Sequence, residues 1–255
     1  MKTKKKILAV AIAAIMILIA LASVSLAYLQ DTDYDQNTMT VGNVKIEQIE
    51  QQRDGNGNLV PFKDNNNKKL LPATCDPAWS NESININGKE CLLFVSNVNP
   101  IDKIVTVNNI GSEDAYVRTL VAFENTDTIA DRLIHFSHNM THWTMEELSA
   151  KITINNKQYV LLTFTYNTAL AAGDNSTPNL IQIFLDKSAT NEDMANLANG
   201  YDILVLSQAV QSAGWSVENG TAAAADYALD TAFGAITAEN ATTIAGWFAN
   251  AIERP

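Results

Sequence analysis

The chain has 255 residues, 28 of them acidic and 17 basic, for a formal net charge of −11 at pH 7. So acidic a surface repels phosphate backbones and anionic headgroups, which argues against nucleic acid and lipid surfaces as partners. Hydrophobic residues make up 47% of the chain, enough to bury a sizeable core.

Residues 1–27 read as an export leader. Lys2, Lys4, Lys5 and Lys6 form a basic n-region, an apolar run follows from Ile7 through Val24, and Ser25-Leu26-Ala27 is the small–x–small pattern a signal peptidase reads. Cleavage is expected between Ala27 and Tyr28, exporting everything beyond. The alternative is an uncleaved anchor, because the run can cross ~30 Å of hydrocarbon as a helix. Membrane contact is expected only through that uncleaved leader. Cleavage removes four lysines and no acid, so the charge of residues 28–255 becomes −15.

Beyond the leader, Asp31-Thr32-Asp33-Tyr34-Asp35-Gln36-Asn37 is rich in acids and turn formers. Met39, Val41, Val44, Ile46 and Ile49 are strand-like, with Gly42-Asn43 as a turn or bulge. Residues 51–70 have the Asn- and Gly-rich chemistry of a hairpin tip or loop. Strands are predicted at Cys91–Val95, Ile104–Val107, Ala115–Phe123, Lys151–Ile154, Tyr159–Tyr166, Leu180–Phe184 and Tyr201–Gln211. Asn99-Pro100 and Asn108–Asp114 supply turns between them. Thr144-Met145-Glu146-Glu147 has capping-box spacing and predicts a short helix. The alanine-rich stretch of about 222–251 predicts two helices broken near Gly234. This pattern predicts an all-β fold, an Ig-like two-sheet antiparallel sandwich with a few peripheral helices, occupying residues 28–255 after an N-terminal signal helix.

Cys75 and Cys91 are the only cysteines, separated by 15 residues. In an oxidising compartment they read as one disulfide, stabilising the fold by ~3 kcal/mol; two free thiols are the alternative.

Several blocks together resemble the TasA/camelysin (CotN) family of Gram-positive exported proteins. They are the leader ending Ala27-Tyr28 with Asp31-Thr32-Asp33, then Asn37-Thr38-Met39-Thr40-Val41-Gly42-Asn43-Val44. A second block is Asn99-Pro100, Val107–Ser112 and Asp114–Arg118, and a third is Leu185-Asp186 through Tyr201–Val205 with Gln208–Gln211. The resemblance implies a jelly-roll-like β-sandwich decorated with helices, a leader cut by a SipW-type signal peptidase, and deposition in the extracellular matrix. It also implies fibre assembly by donation of an N-terminal strand to a neighbour. The partner would be a second copy, head to tail, or a related matrix protein. The donated segment would run from Tyr28 to about Ile46, carrying Met39, Val41, Val44 and Ile46. An unpaired sheet edge accepts such a strand because its N–H and C=O groups are otherwise unsatisfied, and a head-to-tail contact propagates without closing. The same segment also fits as the domain's own edge strand.

His135, His138 and His142 lie within eight residues, and helical spacing would bring them to one zinc ion. Camelysin is described as a metalloprotease, so these histidines carry the alternative of a secreted metal-dependent protease. There is no H-E-x-x-H to supply the glutamate that activates zinc-bound water, and exposed histidines in a connecting loop are expected instead. Asp31, Asp33 and Asp35 alternate as calcium ligands do, but Gln36 and Gly42 occupy the places where an EF-hand needs Gly and Glu. That leaves a looser carboxylate site or a solvated acidic segment. No catalytic residue and no resident cofactor is expected. A third reading is a monomeric surface adhesin. Leu71-Pro72-Ala73-Thr74-Cys75 departs from a sortase signal at Cys75, and no anchor is read at Glu253-Arg254-Pro255. The leading expectation is a non-catalytic structural protein of the extracellular matrix.

Overall fold

The computed structural model describes residues 30–33, 44–62, 70–76, 78–124, 133–138, 141–196, 201–215 and 222–252. The leader, with Ala27 and Tyr28, lies outside them, as do Asp35, Met39 and Val41. In chain order the strands are β1 (Gln30–Asp33), β2 (Ile46–Arg53), β3 (Leu59–Pro61), β4 (Trp79–Ile86), β5 (Lys89–Phe94), β6 (Ile101–Asn109) and β7 (Ala115–Glu124). They continue as β8 (Ile134–Ser137), β9 (Trp143–Glu147), β10 (Ile152–Ile154), β11 (Lys157–Tyr166), β12 (Leu180–Leu185) and β13 (Ile203–Gln211). The α-helices are α1 (Asn191–Asn196), α2 (Ala222–Phe233) and α3 (Ala241–Ile252).

One sheet has the order β1-β13-β7-β11, with β9 and β10 pairing successive stretches of the far side of β11. The second has the order β3-β2-β6-β12-β8, and β4–β5 forms a separate hairpin. All of these strand pairings are antiparallel. The two sheets pack face to face. Val117, Val121 and Phe123 of β7, Leu162 and Phe164 of β11, and Val205 and Ala209 of β13 meet Ile46, Val105, Val107, Leu180 and Ile183 of the second sheet in one cluster.

Burial on both faces explains why β7 is apolar almost throughout, where a half-exposed strand would alternate. Its even-numbered residues Tyr116, Leu120 and Ala122 turn away from the second sheet and lie under the helices. Ala224, Ala225, Ala228 and Leu229 of α2 cover Tyr116 and Val210, and Ile244, Ala245 and Phe248 of α3 cover Leu120, Ala122 and Leu206. Alanine lets these helices approach the sheet closely. Gly234, at φ +102°, ends α2, so the predicted helical pair and its break are both present. On the opposite side, Ile86, Cys91 and Leu93 of the β4–β5 hairpin cover Ile104 and Ile181. A register shift between Leu180 and Gln182 in β12 turns Gln182 to this outer side, where its Oε1 accepts from the Phe94 amide at 2.8 Å. Four layers result: helices, sheet, sheet, hairpin.

Several expectations are corrected. Thr144–Glu147 is no helix; it lies in β9, paired with Leu162–Tyr166 of β11. The capping box that does form is at Thr190, whose backbone N–H and hydroxyl both donate to Asp193 Oδ2 at 2.7 Å while its Oγ1 accepts from the Asp193 amide at 3.2 Å. It opens the short α1. The Cys75–Cys91 bridge is not formed. Cys91 is a buried thiol packed with Ile86, Leu93, Ile104 and Ile181, whereas Cys75 packs beside Ala73, Val98 and Phe184, so the two sit in different clusters. Of the hairpin tip or loop expected from residue 51 onward, the hairpin is present: β2 and β3 pair across Gln51–Arg53 and Leu59–Pro61. At its tip Asp54 Oδ1 accepts from the amides of Asn56 at 2.8 Å and Asn58 at 2.9 Å. Among the described residues no helix is long and apolar enough to cross a membrane.

Candidate functional site

The histidines do not assemble a metal centre. His135 is on β8, a strand rather than a connecting loop. Its ring stacks on Phe184 at 5.1 Å, and its Nε2 meets Asp186 Oδ2 at 2.7 Å. His138 packs against Phe136 and Phe164, with ring centroids at 5.2 and 5.7 Å. His142 stacks on Tyr166, and burial, with Lys89 nearby, holds its pKa below the ordinary imidazole value. β8 runs extended up to Ser137, just before His138, so the histidines lack the helical turn that would gather them on one face. Among the described residues no three His, Cys, Asp or Glu side chains converge as metal ligands would.

The feature that stands out is the edge of the first sheet. β1 pairs with β13 in the register Gln30↔Val210, Asp31↔Ala209, Thr32↔Gln208 and Asp33↔Ser207. Backbone parity shows what that pairing satisfies. The Asp202 carbonyl and the Ser212 amide, at even positions, bond toward the β7 side, to Glu124 and Asp114. Successive residues of a strand point their N–H and C=O to alternate flanks, so odd-numbered Val205, Ser207 and Ala209 present theirs to the opposite flank. Asp31 and Asp33 therefore lie opposite the two β13 residues whose backbone groups face outward, which allows about four ladder bonds.

The balance for β1 is close. Ladder bonds contribute about 1 kcal/mol each net. Ordering the backbone costs about 1–2 kcal/mol per residue, over only four residues. Gln30-Asp31-Thr32-Asp33 also has little β propensity. Val44 and Ile46, by contrast, are each 2% exposed within the chain's own core, and β2 pairs with β6 from Ile46 to Gln51. This end of the Tyr28–Ile46 segment thus lies in the chain's own sheet, as the alternative of an edge strand of the domain has it.

Beside this edge a chain of polar side chains joins the two sheets. Ser207 Oγ donates to Gln48 Oε1 at 2.8 Å, so the hydroxyl of Thr119, 3.0 Å away, must donate to Ser207. Gln48 Nε2 donates to Glu50 Oε1 at 3.1 Å and, over a longer 3.4 Å, to the Val205 carbonyl. Glu50 also pairs with Lys103, which lies over the Phe62 ring at 4.1 Å from its centre. Thr119 and Ser207 are fully buried and Gln48 is nearly so. In a core these groups are tolerated because each has a partner.

A second polar group fastens α2 to the same strands. Arg118, buried on β7, donates to Gln208 Oε1 of β13 at 2.9 Å, Asp230 Oδ1 of α2 at 2.7 Å and the Gly234 carbonyl at 3.1 Å. The cation thereby sits at the negative end of the helix dipole. Burial pulls the Arg118 pKa down, against the raising effect of Asp230. One turn earlier, Asp226 accepts from Thr165 of β11 at 2.7 Å; burial, with Asp230 nearby, lifts its pKa. Neither polar group was anticipated. Arg118 had a signal, as the lone cation inside an apolar strand; Gln48 had none, because Ser207 and Val205, which it meets in the core, come from a distant strand.

The chain matches no family model, no characterised protein and no solved structure.

Proposed function

We propose that the chain is an exported, non-catalytic structural subunit that assembles head to tail by passing its N-terminal strand to the β13 edge of a neighbour. The observation that carries this reading is the short, polar β1 covering the outward-facing backbone of Ser207 and Ala209. The ten residues between Asp33 and Val44 reach at most about 35 Å when extended, enough for the strand to leave one edge and lie on another close by. Exchange replaces each ladder bond with an identical one, so the equilibrium turns on concentration and on the entropy of association. The finer description is a jelly-roll sandwich, exported through a leader cut after Ala27 by a SipW-type peptidase, placed outside the cell, and related to the TasA/camelysin proteins through the blocks quoted above.

The test is negative-stain microscopy of residues 28–255 at rising concentration, beside a chain beginning at Tyr34. Filaments from the longer chain, and folded monomers from the shorter, are the expected pair of results. Filaments from both would overturn strand donation, and none from the longer chain would overturn self-assembly.

A further inference from the structure

Asparagine followed by glycine readily loses its side-chain amide, because glycine has no Cβ to shield the backbone nitrogen that attacks it. The pair occurs at Asn56, Asn87, Asn199 and Asn219, and the last two lie outside the described residues. Asn56-Gly57 sits at the tip of the β2–β3 hairpin and Asn87-Gly88 at the tip of the β4–β5 hairpin, both exposed. Their surroundings differ. We propose that Asn56 is a self-modification site, converting to a mixture of aspartate and isoaspartate in the folded protein, while the fold protects the identical pair at Asn87.

The chemistry sets the geometric demand. The Gly57 backbone nitrogen gives up its proton and attacks the side-chain carbonyl carbon of Asn56. The side-chain nitrogen departs with that proton as ammonia, and a five-membered succinimide closes. Water then opens the ring at either carbonyl, giving aspartate or an isoaspartyl link that runs the backbone through the side-chain carbon. The carboxamide must therefore swing over its own backbone, and the next nitrogen must be free.

At Asn87 both groups are tied. Its Nδ2 donates to the Ser176 carbonyl at 2.9 Å, and the Gly88 N–H donates to Asn85 Oδ1 at 3.0 Å. The preceding Ile86 is fully buried with Cys91, Leu93, Ile104 and Ile181, so opening this turn strains the hairpin's seat on the second sheet. At Asn56 the backbone N–H donates to Asp54 Oδ1 at 2.8 Å, but the carboxamide has no hydrogen-bond partner among the described residues. The Gly57 N–H donates to the Asp54 carbonyl at 3.0 Å, a bond within the exposed tip that local fraying breaks without disturbing a core. Asp54-Gly55 next to it is a poorer site, because the Asn58 and Asn56 amides hold the Asp54 carboxyl below its ordinary pKa and ionised, and a carboxylate resists attack. Isoaspartate at position 56 lengthens the backbone inside the loop that Asp54 bridges, and so breaks up that turn.

The test is peptide mapping of residues 28–255 kept in mildly alkaline buffer, folded and in urea, with mass and elution reporting aspartate and isoaspartate at each site. In urea Asn56 and Asn87 are expected to react at similar rates. In the folded chain Asn56 is expected to react at least about tenfold faster than Asn87, as a modest difference in local opening gives. Equal rates in the folded chain would overturn the proposal, as would an Asn56 that reacts in urea but not when folded. An Asn87 equally slow in urea would trace the difference to flanking residues and overturn protection by the fold.

Discussion

Replacing Asp230 with alanine strips Arg118 of its carboxylate partner while leaving the guanidinium 2% exposed. Truncating one partner of a buried pair costs about 3–5 kcal/mol, because the remaining charge is stranded. Two features reduce that here. Asp230 is 41% exposed, so water reaches this end of the pair and screens it, and the Gln208 and Gly234 oxygens stay in place. About 2 kcal/mol is the expected loss. For a chain of this size that lowers Tm by roughly 4–8 °C. Urea denaturation of residues 28–255 would read the same loss as a shifted midpoint with an unchanged slope. The control is Arg118→Met combined with Asp230→Leu, which removes both charges and should cost less than Asp230→Ala alone. A Tm change for Asp230→Ala smaller than about 1 °C would refute the view that this contact fastens α2 to the sheet.

Two further outcomes follow from the titrating groups. Asp226 has its pKa raised by burial and by Asp230, so the native state holds that proton more tightly than the unfolded chain does. Its stabilising contribution is present below the unfolded value of about 3.9 and is lost as pH rises through the folded value. Asp226→Asn, which still accepts from Thr165, should raise the urea midpoint at pH 7 and lose that advantage below about pH 4; a lower midpoint at pH 7 would contradict this. Burial pushes the Cys91 thiol pKa up, while Cys75 is partly exposed. Ellman's reagent should therefore titrate Cys75 in the native chain and Cys91 only after unfolding, and a chain showing no thiol in denaturant would restore the disulfide.

The elements most legible in the sequence were those whose neighbours impose a single demand. Ala115–Phe123 is apolar on both faces and could only be an inner strand, and the alanine-rich stretch from residue 222 could only be helix. Asn87-Gly88, with φ of 51° and 78°, carries the Asn-Gly signal for the tight turn between β4 and β5. That signal went unused in the sequence reading, which missed the Ser- and Asn-rich β4 beside it as well. Thr144–Glu147 misled because Thr-x-x-Glu spacing is a local signal, and β11 outweighed it with a ladder from Leu162 to Tyr166.

The sequence alone determined a mostly β chain with a helical end and an acidic surface, because composition and periodicity are properties of neighbouring residues. Tertiary structure alone decided which strand became an edge, that Gln30–Asp33 covers it, and that Gln48, Ser207 and Thr119 meet beside it. The physical reason is range. Gln48 and Ser207 are 159 positions apart, and no local preference encodes a hydrogen bond that exists only once two sheets have packed.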